Sequence, residues 1–321
     1  MEEVRFSVII PLFNKAPYVN KALDSIISQS FQDFELIVVD DGSTDDSLAV
    51  AQSIVEGCGV KYRLIHQDNA GVSSARNNGV MVSHGDYLCF LDADDWWAPT
   101  FLERMDDLIR TCPGAGIYGM NYYYVKNGRE SISVKGVETG YINYCKVYSE
   151  GLSMPLWTGA VSLPRRVFDE MGGFRPRLKL GEDFDLWIKI VLKYRVAFLN
   201  EAHSYYFQDS DPAWRLIGKL HDPETHMLWN LDYLSDSEKS NPELKQLLDN
   251  LRTYGLFPYY LSKQFRNAAQ EELSKVDWDK QSSKTVFLYK MPVGLLKIRK
   301  TVLDIGSFFK RRFIKFLHLF T

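Results

Sequence analysis

Cysteine is scarce in this chain. There are four among 321 residues, at Cys58, Cys89, Cys112 and Cys145, and none stands in a CxxC pair. That scatter argues against a zinc site and a disulfide framework, and it points to a reducing, cytoplasmic compartment. A basic surplus is missing too: 38 lysines and arginines face 41 acids, a net charge of −3. A general nucleic-acid binder would carry the opposite balance. No segment reaches the roughly 18 apolar residues of a spanning helix. The start, "MEEVRFSVIIPLFN", is acidic and then briefly apolar, unlike a signal peptide. Internal repeats and low-complexity tracts are also lacking. An apolar share of 45% with 25% charged residues is the make-up of a globular protein with one large domain, or one domain and an extension.

The stretch "LCFLDADDWWAP" stands out from that background. An apolar run ends in Asp92, Asp94 and Asp95, with Trp96 and Trp97 directly behind. Clustered carboxylates repel one another, and burying them unpaired is costly, so a bound cation is an obvious compensation. Alternate acids leaving a strand point to one side, where Asp92 and Asp94 could share a ligand. Hard divalent ions favour such oxygens, and Mg²⁺ is completed by substrate phosphates. A solvated acidic loop is the alternative. The two tryptophans read as packing residues.

Up to about residue 100 the chain alternates short apolar, β-branched runs with helical spacing. "RFSVIIPL", "FELIVVDD", "KYRLIHQ" and "DYLCFLDA" read as strands. "YVNKALDSIISQS", "DDSLAVAQSIVEG" and "SSARNNGVMVS" read as the helices between them. This alternation predicts βαβ units and a mainly parallel sheet, whose ligands gather at the carboxyl ends of the strands. Those ends read "PLFN", "DDGSTD" and "DADDWW". Beyond residue 115 the spacing predicts a hairpin region, a short strand with a helix in "AVSLPRRVFDEMGG", and a helix opening on Glu182, Asp183 and Asp185 in "GEDFDLWIKIVLKY". Past about 215 the pattern is helical.

Several residues could carry chemistry. Asp40 and Asp41 could meet a base or ribose, or simply cap the next helix. Arg76 could reach a diphosphate or lie on a helix surface, and Gly71 could serve a tight turn. An acid at the start of the 182 helix could act as the base for an attacking hydroxyl, or merely complement the helix dipole.

Taken together, these clusters resemble the inverting glycosyltransferases of family 2, with the GT-A fold. The matching segments are "SVIIPLFNKAPYV", "SIISQSFQDFELIVVDDGSTDDS", "NAGVSSARNNG", "GDYLCFLDADDWWAP", "WTGAVSLPRRVFDEMGGF" and "GEDFDLWIKI". The resemblance implies a Rossmann-like nucleotide-sugar domain over residues 1–215, with a nucleotide-binding half (1–115) and an acceptor half (116–215). A helical region over 216–321 would follow. Pro11 and Phe13 match the cradle for uridine, Asp41 the acid on the base, and Arg76 the arginine beside the nucleotide. Asp92 and Asp94 match the acid-x-acid signature for nucleotide-sugar and metal, with Mg²⁺ or Mn²⁺ as the cofactor. Asp183 matches the catalytic base and Glu182 its neighbour, while Trp157, Thr158 and Gly159 match the acceptor-side loop. The partners implied are a UDP-sugar donor and a glycan or lipid-linked saccharide acceptor. A non-catalytic binding protein on the same scaffold is the alternative. One departure is "AHSYYFQDSDPAW", where many relatives place an arginine and a histidine after a tyrosine pair. His203 and His221 lie to either side of the expected position.

The end of the chain carries its own signal. Ile298, Val302, Ile305, Phe309, Phe313, Phe316 and Phe320 recur every three or four positions, among Arg299, Lys300, Lys310, Arg311, Arg312 and Lys315. A basic amphipathic tail from about residue 290 suits attachment to the inner face of the plasma membrane. Docking on the catalytic domain is the alternative.

Overall fold

A computed structural model describes residues 4–151, 153–211 and 219–296. It divides into two compact units, one up to Leu231 and one from Asp232 onward.

In the first unit β1 (Phe6–Leu12) and β2 (Phe34–Asp41) are almost wholly buried, as continuous apolar runs require. They pair in parallel, and β1 also pairs in parallel with β4 (Tyr87–Phe90). The outer strand β3 (Lys61–Gln67) pairs with β2 and is mostly exposed. The helices between them are α1 (Val19–Ile27), α2 (Ser47–Val55) and α3 (Val72–Val82). Of the stripe Val19, Ala22, Leu23, Ile26 and Ile27 that the sequence spacing predicts, α1 buries the first four and leaves Ile27 half-buried.

Strand alternation sorts side chains between two faces. Phe6, Val8, Ile10, Leu12, Leu36 and Val38 join one core with α1. Ile9 and Val39 face α3 instead. Gly79 lets that helix approach closely, for a Cβ there would lie 2.5 Å from Ile9 Cγ2 and 3.3 Å from Val39 Cγ2. Arg76 sits one turn before Gly79 on the same face, so the close seat of α3 carries the arginine over the strand ends.

Beyond β4 the sheet becomes mixed. It continues with β5 (Trp96–Trp97), β6 (Ile117–Lys126), β7 (Arg129–Ile132), β8 (Gly140–Ile142), β9 (Val161–Pro164) and β10 (Val196–Phe207). The order is β3-β2-β1-β4-β9-β6-β10-β5, with β7 against β6 and β8 against β10. β9 runs antiparallel to β4 and β6, while β6 and β10 are parallel. Asn127 and Gly128, both at positive φ, turn the β6–β7 hairpin. The helices here are α4 (Phe101–Thr111), α5 (Tyr144–Gly151), α6 (Arg165–Met171) and α7 (Glu182–Val191). Strand order reverses between β1 and β4, which opens a crevice at their carboxyl ends.

β10 is a 12-residue strand where the sequence suggests none. Its register shifts between Leu199 and Ala202 and again before Ser204, so no unbroken alternation is left to read.

The second unit is helical: α8 (Ser235–Ser240), α9 (Pro242–Gly255), α10 (Phe257–Leu261), α11 (Arg266–Leu273) and α12 (Ser283–Lys290). Asn241 caps α9 by accepting from the Glu243 and Leu244 N–H groups, with Pro242 in the first turn. Residues 297–321, which hold most of the basic amphipathic stretch, lie outside the described residues. Among the described residues no helix is long and apolar enough to cross a membrane.

Candidate active site

The loop leaving β1 carries the first expected residues. Pro11 and Phe13 are half-buried, and strand alternation puts Pro11 on the face that α3 covers. Asn14 takes a positive φ of 51°. Its backbone N–H donates to Ser43 Oγ at 3.1 Å, and its side-chain oxygen accepts from the Thr44 N–H at 2.8 Å. The Lys15 N–H donates to Ser47 Oγ at 2.7 Å. The exits of β1 and β2 are thereby bound into one platform.

Asp40 and Asp41 point to opposite faces of β2. Asp40 Oδ2 lies 2.7 Å from His66 Nδ1 on β3. Asp41 accepts from the Ala70 N–H at 2.8 Å, the Gly71 N–H at 2.9 Å and the Gln67 side chain at 2.7 Å. It therefore shapes the loop that opens α3, where Gly71 adopts a φ of 89°.

Arg76 is the hub. It is 3% exposed, donating from Nη2 to Asp92 at 2.7 Å and from Nη1 to Glu182 at 3.0 Å. Burial works against its charge, but Asp92 and Glu182 outweigh that and hold its pKa above the ordinary value. Glu182 and Asp183 open α7 after Gly181, which is in the left-handed region. Burial, and then the charge of Asp183, pushes Glu182 up to about 7 against the pull of Arg76. Burial likewise raises Asp183, with Arg76 opposing. Asp185, the third acid of that cluster, turns away: it is fully buried and paired with Arg175 and Lys189.

On the other side of the crevice Thr158 Oγ1 donates to Asp183 Oδ2 at 3.2 Å. Trp157 stacks on Tyr206 at 5.0 Å and tilts against Tyr122 at 4.8 Å. Gly159 holds this loop down, its carbonyl accepting from Trp97 Nε1 at 2.7 Å and Ser204 Oγ at 2.6 Å. A Cβ at Gly159 would meet the Trp157 ring at 2.4 Å. Trp97 is core, as expected, stacked on Phe101 at 3.9 Å. His203 lies 3.0 Å from Thr100 Oγ1 and 3.3 Å from Glu201 Oε2.

The acidic run after β4 is balanced in three different ways. Asp92 takes Arg76. Asp94 takes Lys15, whose Nζ is 2.5 Å away. Asp95 is 1% exposed and accepts from the Phe207 N–H at 2.7 Å. Burial, then Asp94 and Asp92, pushes its carboxyl well above the usual range. Among the described residues no three His, Cys, Asp or Glu side chains are grouped to hold an ion. Asp94 and the 37%-exposed side chain of Asp92 still fit a hard cation of the kind completed by phosphate oxygens.

The structure thus joins Arg76, Asp92, Glu182, Asp183 and Thr158 in one constellation, with Asp94 beside it and Asp41 at the root of the arginine helix. Lys15 escapes sequence reading, because a lone loop lysine carries no pattern. The one available signal was its place between the apolar run and α1, opposite an acidic strand end.

Residues 7–172, more than half of the chain, match the model for glycosyl transferase family 2. An uncharacterized glycosyltransferase of Rickettsia felis is 30% identical over 263 residues, 77% of this chain and 41% of the relative. The chain therefore spans less than half of that relative's length. Among solved structures, S. aureus TarS 1-349 in complex with UDP-GlcNAc is similar at a TM-score of 0.71 and 21% identity, over 85% of this chain and 82% of that 1-349 chain. A Pyrobaculum calidifontis mannosyltransferase in complex with GDP-Man and Mn²⁺ reaches 0.52 at 18% identity, over 88% and 89%. These two likenesses establish the GT-A fold. The family match runs from β1 through the arginine helix and the acid-x-acid pair to the Thr158 loop, and the chain belongs to glycosyl transferase family 2.

Proposed function

We propose that the crevice moves a sugar from a nucleoside-diphosphate sugar, a UDP-sugar, to a hydroxyl of a glycan or lipid-linked saccharide, with inversion at the anomeric carbon. The observation that carries this reading is the Arg76 bridge, which sets Asp92 and the Glu182–Asp183 pair across one crevice.

Asp183 accepts the proton of the attacking hydroxyl, a step that contributes about 10² to 10⁴ in rate. Thr158 fixes the rotamer of that carboxylate. Glu182, held by Arg76, positions the turn that presents it. Pro11, Phe13 and Asp41 form the nucleoside end, and Trp157 with Gly159 bounds the acceptor end. The buried rings of Trp157 and Tyr122, with Tyr206 packed on them, brace this loop from behind. Four carboxyls, on Asp92, Asp94, Glu182 and Asp183, surround the two cations Arg76 and Lys15, while burial holds Asp95 toward its neutral form. That surplus opposes a diphosphate, so Mg²⁺ or Mn²⁺ on Asp94 with Asp92 would supply the charge that stabilises the departing UDP.

The donor class is supported by the TarS and Pyrobaculum complexes. Hexosyl or N-acetylhexosaminyl transfer in cell-surface polysaccharide synthesis, with peripheral attachment through the basic tail, completes the proposal. The test is incubation with a panel of UDP-sugars and Mn²⁺, following UDP release with and without saccharide acceptors. Acceptor-stimulated release is expected. Tight UDP-sugar binding with no release under any acceptor would make the protein a binder instead.

A further inference from the structure

Asp94 is held by one of the protein's own cations. Lys15 Nζ lies 2.5 Å from Asp94 Oδ2, and each side chain is 15% exposed. The lysine does not roam the surface. Its N–H donates to Ser47 Oγ, and Asn14 before it is in the left-handed region and tied to Ser43 and Thr44. Its carbonyl accepts from the Tyr18 and Val19 N–H groups at 2.8 and 3.0 Å, where α1 begins. The loop therefore delivers the ammonium to one carboxylate oxygen from a braced backbone.

That carboxylate is also the one assigned to the divalent cation. An ammonium and a divalent ion cannot both sit against it without strong repulsion over a few ångströms. Resting on the metal assignment just made, we propose that Lys15 is a resident counter-ion that keeps the divalent cation off Asp94 until a diphosphate arrives. The diphosphate brings oxygen ligands and negative charge, and these tip the exchange. Metal and nucleotide then load together, each raising the affinity for the other. Lys15 is thus a positioning residue for Asp94.

The experiment is calorimetric titration of Mn²⁺ into wild type, Lys15→Met and Lys15→Gln, with and without saturating UDP, and with thermal melting to confirm folding. Without nucleotide, both variants are expected to bind Mn²⁺ about tenfold or more tightly than wild type. With UDP the gap narrows, because the ion pair no longer competes. Adding Asp94→Asn to Lys15→Met removes the gain. Equal Mn²⁺ affinity of wild type and both variants without nucleotide overturns the inference, while UDP binding that still depends on Mn²⁺ leaves the glycosyltransferase reading standing. If UDP binds wild type at no Mn²⁺ concentration, the donor reading falls and the inference falls with it.

Discussion

Arg76 donates to Asp92 at 2.7 Å and to Glu182 at 3.0 Å, although 106 residues separate it from the latter. A planar guanidinium spans two carboxylates in fixed directions, and a lysine ammonium cannot. Arg76→Lys keeps the charge but loses the bridge. The expected result is transfer reduced about 10²-fold through misplacement of the acidic pair, with a lower melting temperature. Steady-state rates and thermal melts check it, and wild-type rates in this variant would remove the bridge from the mechanism.

Asp183 is the base of the proposed reaction: one oxygen accepts from the Thr158 hydroxyl, the other from the Phe184 N–H, and the residue is half-buried. Asp183→Asn keeps the shape and removes the proton acceptor. Transfer should fall by at least about 10² to 10⁴, while UDP-sugar affinity, measured by calorimetry, stays within a few-fold. Near wild-type turnover would reassign the base.

Acid dependence follows from the same pair. Glu182 is pushed up to about 7 and Asp183 is also raised, burial being the first cause of both. A raised carboxyl is protonated on the acid side, and a protonated base accepts nothing. The rate should therefore climb with pH through an Asp183 limb displaced upward from the ordinary carboxylate range, and level off above it. A wild-type profile already flat down to pH 5 would contradict the assignment.

Much of this was legible beforehand, for physical reasons. Strands buried on both faces leave unbroken apolar runs, so β1, β2 and β4 read directly, and the stripe of α1 followed from its spacing. β10 did not, because bulges break its alternation and polar Asn200, Glu201 and His203 interrupt its run. The acids of the site announced themselves by clustering, but clustering does not say which face each takes. Asp185 reads like Asp183, yet Arg175 and Lys189 draw it into the core. The cations matched to the acid-x-acid run, Arg76 and Lys15, come from other segments, and such pairings are set only by the folded backbone. A bound ion was thus not the sole way to offset that cluster.

Asp95 gives the last prediction. Its carboxyl is pushed well above the usual range by burial first, then by Asp94 and Asp92. In the unfolded chain the same group ionises near pH 4, so between the unfolded and folded values folding takes up a proton. Stability contributed by this group is complete below the unfolded value and is lost as pH rises through that window. An asparagine side chain at this position would need no proton and would keep an oxygen for the Phe207 N–H, which Asp95 now accepts at 2.7 Å. Asp95→Asn should therefore melt at least as high as wild type at about pH 7 and lose that advantage near pH 4. Parallel melts at the two pH values decide it. A variant less stable than wild type at neutral pH would mean that an ionised Asp95 supports the strand ends, and the three acids would then need more positive charge than Arg76 and Lys15 supply.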